Sequence, residues 1–90
     1  MKMNVNDIVT VMTLSGEYVG ALLQNNGTHV VLKHPKLVTN GENGLALADG
    51  ISATGTVPDE LDLYNVCFVV LSHPDVVTAH AAAVQDQESE

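Results

Sequence analysis

The chain has 90 residues, 46% of them hydrophobic, yet only Tyr18, Tyr64 and Phe68 are aromatic, so one domain with a core of Val, Leu, Ile and Ala is expected. Lys2, Lys33 and Lys36 face eleven acids with no arginine, and the net charge of −8 disfavours phosphate backbones and acidic membranes. No apolar stretch approaches the ~20 residues of a membrane span, Asn and Asp interrupt Met1–Val9 so that it does not read as a signal peptide, and the single Cys67 suits the cytosol.

Ile8–Leu14 is rich in β-branched residues and ends at Ser15-Gly16, so it reads as a strand closed by a turn. Glu17–Gln24 resumes as a second strand, with Tyr18, Gly20 and Leu22 on one face and Val19, Ala21 and Leu23 on the other. Apolar residues on both faces predict a strand covered twice. Asn25-Asn26-Gly27 is a hairpin signal, because Asn and Gly tolerate the positive φ of tight β-turns. Thr28–Leu32 completes a meander, and Lys36–Val38 continues it beyond a kink at Pro35.

Asn40–Gly44 reads as a loop, Leu45–Ala48 as a short strand ending at Asp49-Gly50, and Ile51–Asp62 as irregular chain broken by Gly55 and Pro58. Leu63–Leu71 restores a strand, with Val66, Phe68 and Val70 on one side and Cys67, Val69 and Leu71 on the other. Within such an apolar strand Cys67 reads as a buried, inert thiol. After Pro74 the pattern becomes helical: Asp75 suits a helix N-terminus, Ala79 and Ala81–Ala83 favour helix, and Val77, Ala81 and Val84 form a docking stripe. Gln85–Glu90 reads as an acidic, disordered tail.

One phrase occurs twice. Val30–Val38 returns 39 positions later as Val69–Val77, and in both copies a Val-rich run meets His-Pro. Proline removes a backbone donor and disfavours helix at the residue before it. The first copy is expected to bend a strand, and the second to end a strand and open a helix.

Chemistry-bearing patterns are sparse. His29 and His34 straddle the expected end of a strand and His73 and His80 are seven apart, so no pair reads as two zinc ligands from one element, and no metal and no cofactor is expected. Ser15 and Ser72 lack a nucleophile-elbow context. Asp59-Glu60 reads as a solvated turn, and Gly41 and Gly44 do not open a helix as a phosphate loop would. No catalytic residue is assigned, and an enzyme is not expected.

The meander resembles the first motif of the Sm-like (LSm) proteins. Glu17-Tyr18-Val19-Gly20-Ala21-Leu22 matches the centre of that motif, with Gly20 where the strand bends; Asn25-Asn26-Gly27 stands at its turn and Thr28–Leu32 at its third strand. Val66–Leu71 resembles the closing fifth strand, and the resemblance covers roughly residues 5–38 and 61–71. The acidic body, strand-ending proline and Ala-rich final helix resemble the divergent Sm-like proteins of tailed phages that infect marine cyanobacteria. The resemblance implies an all-β fold, a small and strongly bent five-stranded barrel, followed here by a short C-terminal α-helix. Its expected extent is a single domain over 1–84, with the barrel at about 5–72 and the helix at about 74–84.

It also implies a homo-oligomeric ring, the fourth strand of one protomer pairing with the fifth of the next, which would supplement the limited burial open to so short a chain. The family binds RNA through an Asp and an Asn of its first motif and an Arg-Gly pair before the fifth strand. Here Asn26 takes the place of the Asp. His29 is the nearest counterpart of the Asn, in a register that puts Thr28, Val30 and Leu32 on the core face. Asp62, Leu63, Tyr64 and Asn65 occupy the region of the Arg-Gly pair. The implied contacts to short single-stranded RNA are Asn26, His29, Tyr64 and Asn65, by stacking and hydrogen bonds to splayed bases. The alternative is an acidic homo-oligomeric scaffold that binds a basic protein partner and no RNA. The expected location is the cytoplasm, that of the host cell for a phage-encoded chain.

Overall fold

The computed structural model describes residues 3–42, 44–52 and 54–88. Six strands precede one helix: β1 (Ile8–Thr13), β2 (Gly16–Asn25), β3 (His29–Gly41), β4 (Gly44–Ala48), β5 (Glu60–Tyr64), β6 (Val66–Leu71) and α1 (Pro74–Glu88). Neighbours are antiparallel in the order β4-β3-β2-β1-β6, and β5 pairs β3 off this path. The expectation of a five-stranded barrel is therefore corrected. Among the described residues there are six strands, and the sheet is not closed.

The extra strand follows from the length of β3. Its 13 residues are bent in the middle, and each half takes its own partner: His29–Lys33 pairs β5, and Leu37–Gly41 pairs β4. The bend lies at the first His-Pro. Lys33 is opposite Ala21 and Lys36 opposite Val19, so His34 and Pro35 together face Gly20. Two residues against one make a β-bulge, and His34 takes φ 52° to fit it. The His34 N–H donates to the Asp59 carbonyl at 2.8 Å, while Pro35, which has no N–H to satisfy, is buried. A Cβ on Gly20 would lie 3.0 Å from Leu32 Cβ and 3.1 Å from the Lys33 carbonyl oxygen, so the strands approach this closely only at glycine.

The β1–β2 and β2–β3 hairpins follow the sequence signals. Thr13 Oγ1 accepts from the Ser15 and Gly16 amides at 3.2 Å each, closing the β1–β2 turn. At the β2–β3 turn Gly27 takes φ 87°, Asn25 Oδ1 accepts from its amide at 3.0 Å, and the Asn26 amide donates to the His29 carbonyl at 2.9 Å.

One sheet face forms the core from Val9, Val11, Tyr18, Leu22, Val30, Leu32 and Leu63, with Ile51, Leu61, Val66, Val69 and Leu71 against it. Thr28 is exposed at the hairpin end, outside the core assigned to it with Val30 and Leu32. The expected strand Leu63–Leu71 divides at Asn65, whose φ of 56° turns the chain from β5 into β6. Its simple alternation also fails. Met12 faces Phe68 but Thr13 faces Val66, which makes Cys67 a bulged extra residue. Val66, Val69 and Leu71 consequently share the core side, Phe68 and Val70 face outward, and Cys67 is exposed instead of buried.

The second His-Pro ends β6. The Val76 and Val77 amides donate to the His73 carbonyl at 2.9 and 3.0 Å, and the Asp75 amide donates to His73 Nδ1 at 3.1 Å, so His73 caps α1. The helix runs to Glu88, four residues beyond the expected end, taking in much of the assigned tail; Ser89 and Glu90 lie outside the described residues. It docks on the outer sheet face, where Val77, Ala81 and Val84 line a hollow against Ile8, Ala21 and His34.

Candidate nucleic-acid interface

The structure brings all four sequence-assigned residues to one corner of the sheet. Asn26 belongs to the β2–β3 hairpin that His29 closes, His29 is the cross-strand partner of Tyr64, and Asn65 is the junction after it. The Val66 amide donates to the Thr28 carbonyl at 3.2 Å and ties the junction to the hairpin. Strand alternation places His29, Val31 and Lys33 on the outward face of β3, opposite Tyr64, Asp62 and Glu60 of β5.

At the end of that ladder the His29 and Tyr64 rings are stacked, centroids 4.4 Å apart and planes 1° from parallel. Tyr64 is 63% exposed, so its ring offers surface that His29 does not cover. Asn26 and Asn65 are exposed beside it and carry amide donors and acceptors. Asn is among the few residues that tolerate the left-handed backbone Asn65 adopts. His29 Nε2 is buried without a hydrogen-bond partner and lies 3.6 Å from Asp62 Oδ1. The charge nearest the stack is acidic, because Asp62 lies beside His29, while at the far end of the ladder Lys33 stands opposite Glu60. The corner thus offers a π-surface and neutral hydrogen-bonding groups, with little cationic attraction.

A second polar cluster, under α1, escaped the sequence reading. His80 is only 3% exposed, and its Nε2 lies 2.8 Å from the His34 carbonyl oxygen. A carbonyl only accepts, so Nε2 carries the proton. Burial pulls the His80 imidazole below its ordinary 6.5; the bond to the His34 carbonyl opposes this, and the charges of Lys36 and His34 add to it. Lys36 is buried on the same face, with its ammonium on Asp49 Oδ1. Thr10 Oγ1 and Ser72 Oγ are hydrogen-bonded at 2.8 Å nearby, and Ser15 Oγ is bonded to Thr13 Oγ1 at 3.1 Å, so both serines weighed as nucleophiles are engaged. The signal for this cluster was the repeated His-Pro, which brings one copy's carbonyl to the helix opened by the other.

Among the described residues no group of three or more His, Cys, Asp or Glu side chains is placed to hold a metal, and no helix is long and apolar enough to cross a membrane. Fold and corner together define a small antiparallel β-protein with a docked C-terminal helix and an exposed aromatic stack at one sheet edge. No protein-family model matches the chain, and no curated protein matches it in sequence.

Proposed function

We propose that this chain is a non-enzymatic, Sm-like module that assembles into a homo-oligomeric ring and binds short single-stranded RNA at the Asn26–His29–Tyr64–Asn65 corner. The observation that carries this reading is the His29–Tyr64 stack, with Tyr64 63% exposed and exposed asparagines at the adjoining hairpin and at the residue that follows Tyr64. A base laid on the open Tyr64 face would extend the stack, and base–aromatic stacking contributes about 1–3 kcal/mol per base. The Sm-like reading takes support from the return of β6 to β1 and from the bend of β2 and β3 at Gly20. In that reading β4 is an added strand.

Ring assembly takes support from two of the edges left by this order, those of β6 and β5. All six residues of β6 are apolar, its outer edge has no strand partner among the described residues, and Phe68 and Val70 are about half exposed. Such an edge invites pairing with another chain. Strand β5 is likewise paired on one side only among the described residues.

Binding of hexauridylate and hexa-adenylate at low salt to wild type and Tyr64→Ala tests the RNA reading. Wild type should bind, and Tyr64→Ala should bind at least tenfold more weakly. The slope of log affinity against log salt should stay below about 1 in magnitude, since so few lysines are available to neutralise phosphates. Absence of binding at 100 micromolar protein would remove the RNA reading and leave the acidic scaffold, which the Asp62 carboxylate at the corner favours. Light scattering that finds only a 9.5 kDa monomer at that concentration would remove the ring.

A further inference from the structure

Strand β4 has features that neither the RNA corner nor the β5 and β6 edges use. It lies at the end of the strand order, and its outer edge has no strand partner among the described residues. Its sequence, Gly44-Leu45-Ala46-Leu47-Ala48, contains no charge and no proline, the usual protections of an open edge. Leu45 is 71% exposed. Leu45 and Leu47 share one face of the strand and border a cavity of about 200 Å³ between the sheet and the first turns of α1, floored by Thr10, Val19 and Val38 of the neighbouring strands and closed on the helix side by Val76 and Ala79. An apolar cavity of ~150 Å³ holds a benzene molecule, so this one takes a side chain of valine, leucine or phenylalanine size.

The surroundings give the occupant a charge. Glu17 and Asp75 both line the cavity, and Glu42 stands exposed just before β4. No lysine lines the cavity, and Lys36 of β3 is buried against Asp49. A second copy of β4 fits poorly: antiparallel pairing about Ala46 would set Glu42 of each copy near Asp49 of the other, and like charges across a strand pair destabilise it.

From these observations we infer that β4 and the adjoining cavity are a docking site for an extended, basic segment of a partner protein. The segment adds as a strand to β4, seats one aliphatic or aromatic side chain in the cavity, and sets flanking Lys or Arg side chains against Glu17, Glu42 and Asp75. Main-chain bonds to the edge supply affinity, and the pocket and charges supply selectivity. The site is independent of the RNA reading and stands if that reading fails.

The test uses the full chain and a labelled heptapeptide that alternates lysine with valine, with two controls. One control replaces lysine by glutamate; the other is N-methylated at alternate amides, which blocks strand addition. The lysine peptide should bind in the micromolar range and shift the amide resonances of residues 44–48 and 75–79. Both controls, and the Leu45→Lys variant, should bind at least tenfold more weakly. Because Leu45 is exposed the variant should fold, as an unchanged spectrum outside β4 would confirm. Equal binding of the glutamate peptide, shifts confined to β6, or no binding at 1 mM peptide would overturn the inference. So would a concentration-dependent gain in mass that Leu45→Lys abolishes, which would assign the surface to a second copy.

Discussion

Two histidines of this chain show how context sets a side chain's task. His29 lies at an open sheet corner against Tyr64, beside exposed asparagines and carboxylates, and its contacts join neighbouring strands. His80 is buried beneath α1 and bridges 46 positions of sequence to the His34 carbonyl, fastening the helix to the bend in β3. The first arrangement leaves a surface for something else to use. The second is internally complete and acts on stability. Altering the helix cluster should therefore change unfolding, and altering the corner should change binding, with little crossover.

The largest expected effect is at the bend that supplies the His34 carbonyl. Gly20→Val would force a side chain to within 3.0–3.1 Å of Leu32 and the Lys33 carbonyl, and overpacking of this kind costs about 1–3 kcal/mol. Urea unfolding should place this variant at the upper end of that range. His80→Ala removes a buried ring and leaves a carbonyl unpaired, and a loss of about 2 kcal/mol is expected by the same measurement. RNA affinity of His80→Ala should stay within twofold of wild type if the two regions are separate.

The pH dependence sharpens the contrast. His80 has a folded-state pKa below its unfolded value, so the unfolded chain binds the proton more tightly. Its contribution is complete above pH 6.5 and is lost as pH falls through the folded-state value. Unfolding free energies measured between pH 8 and pH 5 should therefore decline in wild type, and His80→Gln should flatten that decline. A smaller change belongs to the backbone. His34 holds φ 52°, a conformation that costs an ordinary residue about 1–2 kcal/mol, so His34→Gly should cost little or raise stability slightly despite the loss of a side chain. Smallest is Tyr64→Ala, whose exposed ring should contribute under about 0.5 kcal/mol to folding.

Much of the local architecture was legible in the sequence, for identifiable reasons. Ser15-Gly16 and Asn25-Asn26-Gly27 specify turns through backbone preference alone, and both turns are present. The two His-Pro copies also read correctly, as a bend in β3 and as the end of β6 with the start of α1. What failed depended on partners distant in sequence. The divided ladder of β3 requires knowing that β4 and β5 take different halves of one strand. The bulge at Cys67, which turned an expected buried thiol outward, arises only in register against Met12 and Thr13. Similarly, the role of His80 depends on the bend of β3, which places a carbonyl from 46 positions earlier against it. At the corner, the family resemblance and hairpin register brought Asn26, His29, Tyr64 and Asn65 together. The ring stack itself was not foreseen, because it needs the direct pairing of His29 with Tyr64.

The most direct test of the proposed function is the ring proton resonances of His29 and Tyr64 during titration with hexauridylate at low salt. Stacked bases shift such protons upfield, and buried Tyr18 serves as an internal control within the same spectrum. The account predicts saturable upfield shifts at Tyr64, smaller shifts at His29, and none at Tyr18. Unmoved Tyr64 resonances at millimolar RNA, or shifts confined to residues away from this corner, would contradict it.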